Sequence, residues 1–278
     1  MIQLSNPRRI PWLGIAVVVV LLGVLVGSVF WWRTAHRAPD LDIQIATARA
    51  ALERARQQRA IDFSADDITV APYESDAFED RKVLFLAKIL PLVAAENERI
   101  LAQREIVKRS SSSAQLNALA LVYGLQPGSV RKENLLRRID VLPPSLVLAQ
   151  AAIESAWGTS RFAREGNALF GERTYDPDTP GITPKRATGF KVKSFTSLQG
   201  SVRSYMRTLN AHRAYRALRE RRAAVRALGQ PLSGPVLAAH LRAYSELGND
   251  YIDMIMDTIA ANRLDEFDHL LAITPTRQ

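Results

Sequence analysis

LAQAAIESAWGTSRFA, Leu148–Ala163, sets one carboxylate, Glu154, among alanines and aliphatics three residues before a tryptophan. Pro143 and Pro144 just upstream suit the first turn of a helix, and Gly158 suits its end. The spacing therefore predicts a helix over Ser145–Trp157. On it Glu154 shares a face with Val147, Gln150, Ala151 and Trp157, at helical offsets. Apolar neighbours partly desolvate such an acid, disfavour its charged form and raise its pKa. A carboxylic acid that stays protonated near neutrality can give a proton to the oxygen leaving a sugar. The competing reading of Glu154 is a solvated glutamate, or a partner of Arg161 or Arg164.

Working outward, Gly166–Ser194 carries glycines, Pro177, Pro180 and Pro184 and reads as loop, with a short alternating run at Gly189–Phe195. Helical periodicity resumes at Thr196–His212, Ala214–Leu228, Gly234–Tyr244 and Tyr251–Arg263. Upstream, Ile43–Ala60 is an alanine- and arginine-rich helix, and Asp62–Asp76 is an acidic loop broken by Pro72. Phe78–Val107 repeats Val83, Leu84, Leu86, Ala87, Leu90, Val93 and Ala94 on one face, with Pro91 a candidate kink. Ser110–Ser113 is too short for a domain linker and opens a helix with Ser113 as cap. Leu116–Tyr123 is a further short helix, and Ser129 caps another running to Ile139. The predicted class is mainly α (α+β), with a small β/loop insertion after the helix that carries Glu154.

Pro11–Trp32, PWLGIAVVVVLLGVLVGSVFWW, has no charge over 22 residues. As a helix it would span about 33 Å, the thickness of a bilayer's hydrocarbon core. Trp12 at one end and Phe30, Trp31 and Trp32 at the other suit the two interfaces. The tryptophans favour a retained signal-anchor over a cleaved signal peptide, whose apolar region is shorter and ends in small residues. Arg8 and Arg9 on one side balance Arg33 and Arg37 on the other, so charge barely decides orientation. A short stub before a large domain reads most simply as a single-pass signal-anchor with the domain outside the cytoplasm. The expected organisation is a tail over 1–10, the anchor over 11–32, a helix and linker over 33–76, a helical region over 77–128 packing on the next, and a catalytic domain over 129–278.

The 278 residues carry 47% hydrophobic and 23% charged side chains, ordinary for a globular chain. With no cysteine, disulfides, zinc–thiolate sites and thiol nucleophiles are excluded. The four histidines are scattered without metal-binding spacing, and no phosphate or dinucleotide loop is present, so no metal or cofactor is expected. The net charge of +9 favours polyanions without choosing among them. Arg203, Arg207, Arg213, Arg216, Arg219, Arg221, Arg222 and Arg226, with Tyr205 and Tyr215 interleaved, resemble a phosphate-binding stripe. No reader motif accompanies them, and nucleic acid is not the expected partner; lipid headgroups or wall polymers fit a tethered chain better.

The run VLPPSLVLAQAAIESAWGTSRFA followed by GNALFGE resembles the core of the bacterial glucosaminidases of glycoside hydrolase family 73, and most closely their Bax-protein branch. ILPLVAAENERI upstream, and SLQGSVRSYMRTLNAHRAYRALR and LRAYSELGNDYIDMI downstream, extend the likeness over roughly Tyr73–Arg263. The resemblance implies a lysozyme-like fold that hydrolyses the β-1,4 bond after N-acetylglucosamine in peptidoglycan, with Glu154 as general acid. It also implies that Gln150, Trp157, Phe170, Tyr244 and Tyr251 bind substrate, and that the glycan strands are the partner. A non-catalytic or weakly active glycan-binding or scaffolding protein is the alternative.

Glycosidases ordinarily need a second carboxylate. Relatives tend to carry it in the β-lobe, before the phenylalanine that opens the next helix. Here that stretch is ATGFKVKSF, Ala187–Phe195, with Lys191 and Lys193 and no acid. The nearest acids are Glu165, Glu172, Asp176 and Asp178; of these the flexible-looking loop pair, Asp176 and Asp178, could move in. The substrate's own N-acetyl group is a further substitute. Glu246 stands where many relatives have an aspartate one position later.

Overall fold

The computed structural model describes residues 39–128, 130–185 and 189–272. The chain divides into two compact units, Met1–Ile43 and Gln44–Gln278. Of the first, only the opening turn of a helix is described; everything below concerns the second. The anchor expected at Pro11–Trp32 and the cap expected at Ser129 lie outside the described residues. No helix among the described residues is long and apolar enough to cross a membrane. The expected boundaries at 76 and 128 both fall inside the second unit.

Ten helices and three short strands make the described fold: α1 Pro39–Gln58, α2 Phe78–Arg109, α3 Ser113–Val122, α4 Lys132–Arg138, α5 Pro144–Ser155 and α6 Arg161–Gly166 precede β1 Arg173–Thr174, β2 Gly181–Ile182 and β3 Lys191–Lys193. Then come α7 Leu198–Ala211, α8 Arg216–Ala227, α9 Gly234–Ala238, α10 Asn249–Ala261 and a closing 3-10 segment, Leu264–Ala272. The mainly α class holds. The loop after α6 contains a three-stranded antiparallel sheet in the order β1-β3-β2, with Val192 opposite both Arg173 and Ile182. Gly234–Tyr244 was expected as one helix, but regular helix stops at Ala238 and turns follow. Ser112 rather than Ser113 caps α3, accepting from Gln115 N, and Arg131 stands at the N-cap of α4.

Helix α5 is the axis of the unit. Every residue from Pro144 to Ala152 is buried, as befits a helix apolar on all sides, and α2, α9, α10 and the closing 3-10 segment pack around it. Its start is tied to the closing 3-10 segment. Asp268 accepts hydrogen bonds from Ser145 N (2.9 Å), Ser145 Oγ (2.7 Å) and Gly234 N (2.8 Å), drawing α5, α9 and the 3-10 segment together.

A second tie is a buried charge cluster just before α5. Asp140 is 2% exposed and receives a forked pair of 2.6 Å bonds from Arg226. Arg222, fully buried, donates to the carbonyls of Asp140 and Val141 and to Asn210 Oδ1. Arg219 is buried against the carbonyls of Leu209 and His212. Arg203 pairs with the buried Glu96 and Arg216 with Glu220. Arg219, Arg222 and Arg226 are therefore fold machinery, and because they bond inward the run cannot form a continuous phosphate-facing stripe.

Candidate active site

The end of α5 departs from the expected helix in a way that shapes the site. The helix stops at Ser155, and Ala156 and Trp157 adopt left-handed backbone, φ +50° and +57°. Trp157 N bonds back to Ala152 O at 2.8 Å, closing the helix in a Schellman-type turn. Such conformations are costly for non-glycine residues, and the surroundings hold them. Ser155, fully buried, donates to Ala151 O (2.6 Å) and accepts from Gly158 N (2.8 Å). Ser160 caps α6 by accepting from Ala163 N. The serines and glycine of the ESAWGTS motif are thus the fastenings of a tight turn that leaves Glu154 one residue from a helix end.

Trp157 consequently leaves the face it was expected to share with Glu154. Its ring packs edge-on against Phe85 (centroids 5.7 Å apart) and Phe78 (6.3 Å), and Trp157 is not among the residues lining the cleft that holds Glu154.

That cleft has a volume of about 750 Å³. Glu154 and Phe170 line it from the helical body, β1 and β3 contribute Arg173 and Lys193, and Tyr244, Ser245 and Glu246 form part of its wall. Glu154 is half-buried, and burial raises its pKa above the ordinary carboxylate value; a hydrogen bond from Tyr251 pulls the other way but is the smaller effect. Tyr251 Oη donates to Glu154 Oε1 at 2.7 Å. Gln150 Nε2 donates to Tyr251 Oη at 3.0 Å, and Tyr205 Oη donates to Gln150 Oε1. The polarity of this chain follows from the amide: with its one acceptor facing Tyr205, its donor faces Tyr251, whose proton must then point at Glu154. Glu154 Oε2 makes no hydrogen bond among the described residues. Gly171, at φ +61°, lies close by, and a Cβ there would come 3.7 Å from Oε2.

Gln150 and Tyr251 were expected to touch substrate, but they are 0% and 2% exposed and do not line the cleft. Interior positions make them supports of the carboxyl. Phe170 and Tyr244 do line it. Phe170 stacks on Tyr205 (3.8 Å, 8° between planes), Tyr244 stacks on Tyr251 (5.4 Å, 4°), and Tyr244 Oη donates to Phe170 O. Tyr205, fixed by this packing, is a site residue that the sequence reading passed over. Its signal lay in the S-x-x-x-S-x-x-x-Y-M spacing: Ser197 caps α7, Ser201 Oγ accepts from Leu169 N, and the tyrosine one turn on meets Phe170.

The expected loop pair, Asp176 and Asp178, does not supply the cleft with a second acid. Asp176 folds back on its own loop, accepting from Asp178 N and Thr179 Oγ1, and neither it nor Asp178 lines the cleft. Glu172 does, on the strand entry directly after Gly171. Its Oε2 accepts from Ser204 Oγ (3.0 Å) and Thr208 Oγ1 (3.3 Å) and pairs with Lys193 Nζ (3.3 Å), while its Oε1 is buried without a hydrogen-bond partner among the described residues. Lys193, which had looked like a replacement for the missing acid, is its counter-ion. Among the described residues no group of three or more histidines and acids is arranged to hold a metal ion.

A half-buried acid and a second carboxylate lining one groove suit a glycosidase, and residues 132–264 match the glucosaminidase family, described as mannosyl-glycoprotein endo-beta-N-acetylglucosaminidase. Those residues form a glucosaminidase-family domain, and the chain as a whole is similar to bacterial glucosaminidase-domain proteins of the Bax type. It is 32% identical to the protein Bax of Escherichia coli (strain K12) over 183 residues, which is 62% of this chain and 66% of that protein's length. No solved structure matches the chain.

Proposed function

We propose that this protein hydrolyses the β-1,4 glycosidic bond following N-acetylglucosamine in peptidoglycan, with Glu154 as general acid. The observation that carries the reading is the division of labour on Glu154: Tyr251 donates to Oε1, which leaves Oε2, without a hydrogen-bond partner among the described residues, as the oxygen to carry and deliver a proton. That proton passes to the glycosidic oxygen as the bond from the anomeric carbon breaks. Water adds its oxygen to that carbon and loses a proton to Glu172, a second carboxylate lining the cleft. Family membership supports a glycan substrate, and the apolar span Pro11–Trp32 supports anchoring in the inner membrane with this domain in the periplasm, where the polymer lies.

Zymography on peptidoglycan tests the acid: wild type clears a band and Glu154→Gln does not, and a band that persists in the variant overturns the assignment. Mass analysis of the fragments identifies the bond, since reducing-end N-acetylglucosamine is expected, and reducing-end N-acetylmuramic acid or anhydro products would replace this activity with another. Reporter fusions after Asp40 test the orientation, a cytoplasmic signal refuting it. A second reading, glycan binding with little cleavage, draws on the pairing of Glu172 with Lys193, which occupies the second carboxylate. Tight binding to purified wall without fragment release would establish it.

A further inference from the structure

A second hollow, about 500 Å³, opens beside the first and shares Thr208 and His212 with it. The two are chemically opposite. The catalytic cleft carries Glu154, Glu172 and Glu246, whereas none of the described residues lining the second hollow is acidic. Its cations are Arg138, Arg207 and Arg213. Arg138 is pinned through Nη1 to the carbonyls of Tyr123 and Ala211, which ties the α3 end to the α7 end and fixes the floor. Arg207 and Arg213 are exposed and make no ion pair or hydrogen bond among the described residues, unlike Arg203, Arg216, Arg219, Arg222 and Arg226 of the same run. Leu121 and Val122, 65% and 47% exposed, add an aliphatic edge.

We infer that this basic shelf binds the acidic peptide borne by the glycan strand, its two free guanidiniums taking carboxylates while Leu121 and Val122 meet small aliphatic side chains. The inference rests on the peptidoglycan reading of the cleft. Continuity through Thr208 and His212 is what selects a substituent of the same substrate: a strand seated over Glu154 would carry its neighbouring peptide onto the shelf. Guanidinium forks favour carboxylates in two-point contact, and exposed aliphatics favour a peptide over a bare polyphosphate.

The test uses the full-length chain, the double variant Arg207→Ala/Arg213→Ala, and two substrates: soluble glycan strands bearing their peptides, and the same strands stripped of peptide by an amidase. Neither arginine touches the catalytic residues, and both are exposed, so folding is expected to be unchanged. The variant should raise KM on peptide-bearing strands by about five- to tenfold, the scale of two partly exposed charge pairs, with kcat unchanged. On stripped strands wild type and variant should agree. An equal rise on both substrates, or none on either, overturns the shelf. Failure of wild type to cut either strand is a failure of the proposed activity instead; binding of the free stem peptide, measured by calorimetry, then reads the shelf directly. Peptide bound by wild type and lost in the variant sustains the inference. No peptide binding, with arginine-dependent binding to anionic vesicles or to DNA, would give the shelf to a different partner.

Discussion

Tyr251→Phe keeps the ring that stacks on Tyr244 and removes only the hydroxyl that donates to Glu154 Oε1. That bond favours the ionised acid, opposing the burial that raises its pKa. A hydrogen bond to a charged group is worth about 1.5–3 kcal/mol. Its loss should therefore move the Glu154 pKa further upward. The alkaline limb of the kcat/KM profile, which reports ionisation of the general acid in the free enzyme, should move to higher pH. The maximal rate should fall, because the carboxyl loses the contact that orients Oε2. The change also strands the buried amide of Gln150, costing about 1–3 kcal/mol of stability, seen as a lower Tm. The assay is a pH series on soluble glycan strands with both proteins. A limb that stays in place, or moves to lower pH, would refute the assignment of Tyr251 as the donor that tunes Glu154.

Other outcomes follow from the same geometry. Glu154→Gln should abolish strand cleavage without lowering Tm above neutral pH, because burial penalises the charge that the amide lacks; a marked fall in Tm would make the residue structural. Glu172→Gln should reduce kcat by at least about a hundredfold if it accepts the water's proton, on the scale of general-base catalysis, with little change in strand binding by the inactive protein. Burial raises Asp268 from the ordinary 3.8 to about 6, so the folded state holds that proton longer than the unfolded chain. Its contribution to stability is therefore greatest below about pH 4 and declines, by about 3 kcal/mol, as pH rises through about 6; urea titrations across that window check it, and Asp268→Asn should flatten the slope. Gly234→Ala would put a Cβ 2.0 Å from Ser145 Oγ and 2.8 Å from Leu146 N, against the buried start of α5. It should cost about 1–3 kcal/mol or more, measured as a fall in Tm, and an unchanged Tm would show that the clasp with Asp268 is loose.

Much of this molecule could be read from the chain because local spacing reports local structure. The long helices α2, α5, α7 and α10 were expected within a few residues of where they lie, and the apolar run around Glu154 foretold a partly desolvated acid with a raised pKa. Where helical offsets were extended past Ser155 they failed. Two left-handed residues turn Trp157 away, and nothing in the periodicity before them announces that turn. The arginine run shows the same limit, since spacing along α7 and α8 cannot say that Arg222 finds carbonyls at Asp140 and Val141.

What the sequence by itself determined is the setting of Glu154: a glutamate near the end of an apolar helix, in a chain without cysteine. Only the tertiary structure decided how that acid is held and what faces it. Tyr251 lies 97 positions from Glu154 and 101 from Gln150, and Glu172 reaches the cleft by the backbone turn at Gly171 and its pairing with Lys193. Side-chain periodicity is a property of neighbouring turns, whereas contacts between such distant positions exist only after the helices have packed around α5.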